Sequence, residues 1–156
     1  MEKHIEKVVK ETLLNAGNIF NRTFYMIPSR CDIKGKVAGY YCFKNGQKYL
    51  RFNPSIYKEN KDTYDDVIVH EVAHYVTHEL YPGSKPHGKE WKGVMRSLGK
   101  EPERCHAYKV TPARKLKTFK YKCDCMEYEL TSIRHNKILK GHYYTCQKCK
   151  SRLVKG

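Results

Sequence analysis

A chain of 156 residues has room for one domain, or one domain with a small appendage. Its hydrophobic fraction of 40% is inflated by 13 tyrosines, and no apolar run approaches the roughly 18 residues of a membrane span, which excludes a transmembrane helix. The formal net charge of +15, with a pI near 9.5, points to a polyanionic partner, most simply nucleic acid, although a basic protein without such a partner would carry the same excess.

Met1 to Lys7 leads into an amphipathic pattern and not a continuous apolar stretch. No signal peptide is expected, and the cytoplasm is the expected location. In a reducing compartment, seven cysteines are read as free thiols and metal ligands in preference to disulfides.

The chain begins with a helix over residues 1 to about 20. Ile5, Val8, Val9, Leu13 and Leu14 recur at helical spacing, and Asn15-Ala16-Gly17-Asn18 weakens the pattern near its end. Two β-prone runs follow, from Val37 to Phe43 and from Lys48 to Phe52. They flank Asn45-Gly46, a hairpin turn signal. The alternation of aromatic and polar residues leaves one face solvated, and such a strand can offer its edge to an extended peptide. Asn53-Pro54 closes the second strand, and Lys58 to Thr63 reads as a polar loop.

A helix is expected from Tyr64 to Leu80, apolar on nearly every side, with Ile68, Val72 and Val76 in one stripe. Inside it lies His70-Glu71-Val72-Ala73-His74, an H-E-x-x-H pattern. Histidines four apart share a helix face, so both imidazoles can reach one metal. Glu71 lies roughly 100° around the helix from His70. It can therefore stand beside the metal as the general base for an activated water. A surface helix with two solvated histidines would satisfy the same pattern. The apolar flanks argue for burial, and burial needs something to satisfy these polar groups; a zinc ion does so.

A catalytic zinc takes three protein ligands and keeps one open position. His78 lies eight residues from His70, about 12 Å along the axis, too far for one tetrahedral ion. The better third ligand is His87. It starts a second helix through Trp91, Val94, Met95 and Leu98, after the turn Pro82-Gly83-Ser84-Lys85-Pro86. His106 is a further possibility.

From residue 113 the chain changes character. Twelve lysines and arginines stand against three acidic residues there, so nine of the fifteen excess positive charges lie in this tail. It also holds Cys123-Asp124-Cys125 and Cys146-Gln147-Lys148-Cys149, each in a β-prone context (Phe119 to Tyr121, and Tyr143 to Thr145). Two close cysteine pairs about 20 residues apart read as a zinc ribbon. Residues i and i+2 of a strand point to one side, so the unusual C-x-C can still present both thiolates to one ion. Cys123, Cys125, Cys146 and Cys149 are the favoured set, with His135 or His142 in place of Cys125 as the alternative. A closed four-ligand site holds a fold and does no chemistry.

With these residues assembled, the chain resembles the bacterial SprT family, within the SprT-like/Spartan metalloprotease group. The resemblance is carried by His70-Glu71-Val72-Ala73-His74, Pro86-His87-Gly88-Lys89-Glu90-Trp91, Tyr121-Lys122-Cys123-Asp124-Cys125, Arg134-His135-Asn136 and Tyr144-Thr145-Cys146-Gln147-Lys148-Cys149, in order over nearly the whole chain. It implies that His70, His74 and His87 bind a catalytic Zn2+, that Glu71 is the catalytic acid/base, and that a second, structural Zn2+ sits in a C-terminal ribbon. Eukaryotic relatives digest proteins crosslinked to DNA.

The expected fold is α+β: a zincin-like core with a small β-hairpin or sheet over residues 1–112, then a zinc β-ribbon and basic nucleic-acid-binding tail over 113–156. The expected function is a zinc metalloprotease acting on DNA-bound proteins, with DNA held through phosphates and stacked bases and with little sequence specificity. The alternative is a DNA-binding zinc-ribbon regulatory protein with little or no proteolytic activity.

Overall fold

The computed structural model describes residues 1–104, 108–110 and 117–156. It is a mixed α+β structure in two compact units, Met1–Ala113 and Arg114–Gly156. The expected boundary at 112/113 lies outside the described residues, as does His106.

Helix α1 spans Glu2–Phe20 and buries Ile5, Val8, Val9, Thr12, Leu13 and Ala16, the stripe of a single helical face. Leu14, expected on that face, points outward and is 62% exposed. The Asn15-Gly17 stretch does not stop the helix. It ends at Asn21, whose left-handed backbone lets its N–H bond Gly17 O.

Three strands form the sheet of the first unit: β1 (Ser29–Arg30), β2 (Gly39–Lys44) and β3 (Gln47–Phe52). The order is β1-β3-β2, with β1 parallel and β2 antiparallel to β3, so β2 is an outer strand. Asn45 (φ 53°) and Gly46 (φ 75°) make the tight hairpin turn, both left-handed. Leu50 and Phe52 are buried, whereas Tyr40 and Phe43 of β2 are exposed.

The polar loop expected from Lys58 is shortened by a helix, α2 (Pro54–Glu59). The cause is Asn53, which is fully buried. Its Oδ1 accepts from the N–H groups of Ser55 (3.1 Å) and Ile56 (3.3 Å), and Pro54 fits the first helical turn. Its Nδ2 donates to Gly35 O (3.0 Å) and Val37 O (2.9 Å), so the same side chain holds the loop that leads into β2.

Helix α3 spans Tyr64–Leu80 as expected and buries eleven of its residues, including Ile68, Val72 and Val76. Its first residue anchors it to the sheet. The Tyr64 hydroxyl donates to Ala38 O (2.6 Å) and accepts from Asn53 N–H (3.0 Å). Helix α4 spans Lys89–Ser97 and starts two residues later than expected. Trp91, Val94 and Met95 are buried, and Leu98 packs at the edge of the core.

In the second unit, β4 (Thr118–Lys122) lies between β5 (Glu127–Thr131) and β6 (Val154–Lys155), with helix α5 (Ser132–Leu139) after β5. Tyr121, Leu130, Cys146 and Leu153 form its small core. Tyr143 to Thr145 is not a strand; Thr145 makes one bridge, to Arg152. Among the described residues no helix is long and apolar enough to cross a membrane.

Asn53→Ala removes a helix cap and the two part-buried hydrogen bonds to Gly35 O and Val37 O. It is expected to destabilise the protein by roughly 1–3 kcal/mol, from the loss of a cap and of part-buried hydrogen bonds, measured by denaturant unfolding. A change below about 0.5 kcal/mol, the size of an ordinary surface substitution, would contradict this role.

Candidate functional site

Helix α3 presents His70, Glu71 and His74, and the turn before α4 presents His87. The Nε2 atoms of the three histidines form a triangle: 3.0 Å between His70 and His87, 3.1 Å between His74 and His87, and 3.2 Å between His74 and His70. Three imidazole nitrogens facing one point cannot all be satisfied by sharing protons. A single cation satisfies them together. Tetrahedral zinc with Zn–N of about 2.05 Å needs nitrogens about 3.3 Å apart, close to the spacing found. These residues fit a zinc ion.

Two features of the backbone set this geometry. His87 sits at φ 56°, a left-handed conformation uncommon for a residue with a side chain. Gly88 follows it and packs against Lys85, where an added Cβ would lie 2.9 Å from the carbonyl oxygen. The indole of Trp91 backs the cluster, 4.7 Å from the rings of His70 and His87 and stacked on His74 at 5.3 Å. His78 stays apart. Its Nδ1 is bonded to the Tyr41 hydroxyl (2.7 Å).

Glu71 is buried beneath β2. A Cβ on Gly39 would meet Glu71 Cγ at 2.9 Å and Val67 Cγ1 at 3.0 Å, so the strand crosses the helix at a point where only glycine fits. Burial pushes the Glu71 carboxyl up to about 8, partly offset by the backbone N–H of Tyr41, which donates to it. Burial also pulls His74 down to about 3, helped by the neighbouring His70 and His87. His87 is lowered by burial and by the charge of Arg104.

These groups line a cleft of about 320 Å³, together with Lys36, Ala38, Arg104 and Tyr108. Burial, with Asp66, Glu103 and Glu71 nearby, raises the Tyr108 hydroxyl, which stays protonated near neutral pH. The importance of Gly39, Arg104 and Tyr108 was not visible in the sequence, because no spacing rule links them to the histidines. An isolated glycine at the start of a strand-like run was the one available signal.

In the second unit, Cys123, Cys125, Cys146 and Cys149 bring their sulfurs within 4.8 Å of one another. Cys123 and Cys125 Sγ are 3.5 Å apart, and Cys125 and Cys146 Sγ 3.7 Å. Four thiolates around zinc at about 2.3 Å lie about 3.8 Å apart, so this set also fits. The Tyr128 hydroxyl, 2.9 Å from Cys146 Sγ, draws that thiol down to about 5, aided by backbone N–H groups of Cys149 and Lys148. His135 is engaged elsewhere, bonded to the Tyr121 hydroxyl (2.8 Å) and stacked on Phe119 at 3.7 Å. His142 is not in the cluster, so the structure groups the four cysteines without either histidine.

Metal analysis of the purified protein is expected to give two zinc per chain, falling to one in His70→Ala and to one in Cys146→Ser. A single zinc that survives His70→Ala would overturn the histidine site. Metal-free protein should also show the protonation of Glu71. The fold keeps a proton up to about 8 that the unfolded chain gives up near 4.5, so stability is full below about 4.5 and declines as pH rises to about 8. His74 acts oppositely, because the unfolded chain takes up a proton near 6.5 that the fold refuses down to about 3. In thermal melts with chelator, Glu71→Gln should therefore lose the decline between pH 5 and 8 and keep the acid limb. Parallel curves for the two proteins would contradict a buried, protonated Glu71.

The SprT-like family model matches residues 9–113. Among curated relatives, Protein SprT of Vibrio parahaemolyticus is 40% identical over 147 residues, covering 92% of this chain and 87% of that protein. Protein SprT of Pseudomonas paraeruginosa is 36% identical over 160 residues, covering 99% of this chain and 95% of that protein. No solved structure matches. A matching family model over most of the first unit, and relatives aligned through both units, show that the chain belongs to the SprT-like family.

Proposed function

We propose that this protein is a zinc-dependent peptidase with a zincin-like core, acting on proteins bound or crosslinked to DNA. The observation that carries the peptidase reading is Glu71. A structural metal site has no use for a buried carboxylate beside three converging histidines, since burying it costs free energy. A hydrolytic site needs a proton acceptor at that place.

Zinc held by His70, His74 and His87 would supply Lewis acidity, acidifying water and polarising a peptide carbonyl. Glu71 takes the proton from the attacking water and returns it to the leaving amine. A nearby cation lowers its pKa from the metal-free value toward the range useful for this exchange. The Tyr41 N–H orients the carboxylate, and Gly39 lets β2 approach closely enough for that bond. Tyr108 and Arg104, with Lys36 and Tyr40, are side chains of the cleft able to donate hydrogen bonds to the developing oxyanion. Among the described residues of β2, the outer edge is open to an extended peptide.

The basic second unit supports the DNA reading. Arg152 lies over the exposed Tyr143 ring at 5.3 Å, and Arg134 over the half-buried Tyr144 ring at 5.8 Å, which sets cations beside a ring, Tyr143, that can stack on unpaired bases. Its four-cysteine zinc would be structural.

Glu71→Gln is expected to lower proteolysis of a DNA-bound protein by at least 100-fold, the scale of a lost general base, with zinc content and DNA affinity unchanged. The measurement is cleavage in the presence of single-stranded DNA, with metal analysis and a salt-dependent binding curve alongside. Wild-type, zinc-loaded protein that cleaves neither itself nor a DNA-bound protein would overturn the peptidase reading in favour of a DNA-binding zinc protein.

A further inference from the structure

His78 and Phe43 take no part in the metal centre, yet both border it. A second cleft, of about 340 Å³, is lined by Tyr41, Phe43, Thr77, His78, Pro86 and Trp91. His74 belongs to the walls of both clefts, so the second begins where the metal site ends. Strand β2 runs beside the pair. Gly39 and Tyr40 border the first cleft, and Tyr41 and Phe43 the second. An extended chain laid along the outer edge of β2 therefore crosses the metal site and passes the second cleft within a few residues.

The side-chain polar groups that Tyr41, Thr77 and His78 bring to this wall already have partners. The Tyr41 hydroxyl is bonded to His78 Nδ1 at 2.7 Å, and the Thr77 hydroxyl donates to Ala73 O at 2.6 Å. The Phe43 ring meets His78 edge-on at 4.7 Å and leaves 54% of its surface exposed. The surface facing the cleft is more apolar than polar, with the rings of Tyr41, Phe43 and His78 beside Ser84 and Lys85 among its lining residues. Such a surface gains by burying a ring in offset or edge-to-face contact, and gains little from a small or charged side chain.

We infer that this cleft is a specificity subsite, which takes a large aromatic side chain of the substrate protein next to the scissile bond. His78 and Tyr41 form its rigid wall, and Phe43 its mouth. The inference rests on the peptidase reading above, and the test separates the two. Zinc-loaded full-length protein is titrated by calorimetry with two peptide hydroxamates, alike except for a benzyl or a methyl side chain beside the hydroxamate. Peptide cleavage is assayed in parallel.

The benzyl compound is expected to bind at least tenfold more tightly. Phe43→Ala should cut that preference to less than threefold. Ser84→Trp, which fills the cleft, should abolish it while methyl binding persists; a preference unchanged in both variants overturns the assignment. Equal affinities with cleavage intact would overturn the subsite alone. A benzyl preference that responds to both variants, in a protein that cleaves no peptide, would overturn the peptidase reading and leave the subsite standing. Binding of neither hydroxamate would overturn both.

Discussion

The burial of polar groups on α3 is the constraint around which the first unit is arranged. This helix is apolar on almost every side, and it carries His70 and Glu71 into the interior with its valines. Neither group can be left there unsatisfied without a cost of several kcal/mol. Each neighbouring element answers that demand. The turn before α4 brings His87 to within 3.0 Å of His70, Trp91 closes the back of the cluster, and β2 aims a backbone N–H at Glu71. A cation at the centre of the three nitrogens would complete the set.

Strand β2 serves structure and site at once. Its start is tied to α3 by the Tyr64 hydroxyl through Ala38, and its preceding loop is tied to α2 by Asn53. These bonds set the height of the strand above the helix. Gly39 then permits a crossing that any side chain would block. A shift of the strand would move the Tyr41 N–H away from Glu71 and change the shape of both clefts. Stability and proton chemistry are therefore linked through the same few bonds.

The second unit follows a different logic. It is short, and its core is four buried residues with a few partly buried neighbours. A core of that size supplies little stability, so four clustered thiols are positioned to contribute folding energy through a metal. The Tyr121–His135 bond and the Phe119–His135 stack fix α5 against β4, which gives a histidine on α5 a packing role away from the sulfurs.

Short-range patterns were legible in the sequence because their physics is local. A four-residue spacing puts His70 and His74 on one helical face whatever surrounds them. Asn45-Gly46 makes a left-handed turn by itself, and an i, i+2 pair of cysteines shares one side of an extended segment. Helix α2 was missed because its cap, Asn53, was read only as the end of a strand. Helix α5 is not marked in the sequence because it is short and buries only His135, so no apolar stripe runs along it. Leu14 was misplaced because helical spacing admits two adjacent stripes, and packing chooses between them. By itself the sequence determined the candidate ligand types, the helix that carries two of them, and the α+β character of the chain. The sequence already favoured His87 and the four cysteines; tertiary structure alone decided that His87 reaches the other histidines from a left-handed turn, that β2 crosses Glu71 at a glycine, and that His135 is taken up by Tyr121 and Phe119. Those outcomes depend on contacts between residues far apart in the chain, which no local period encodes.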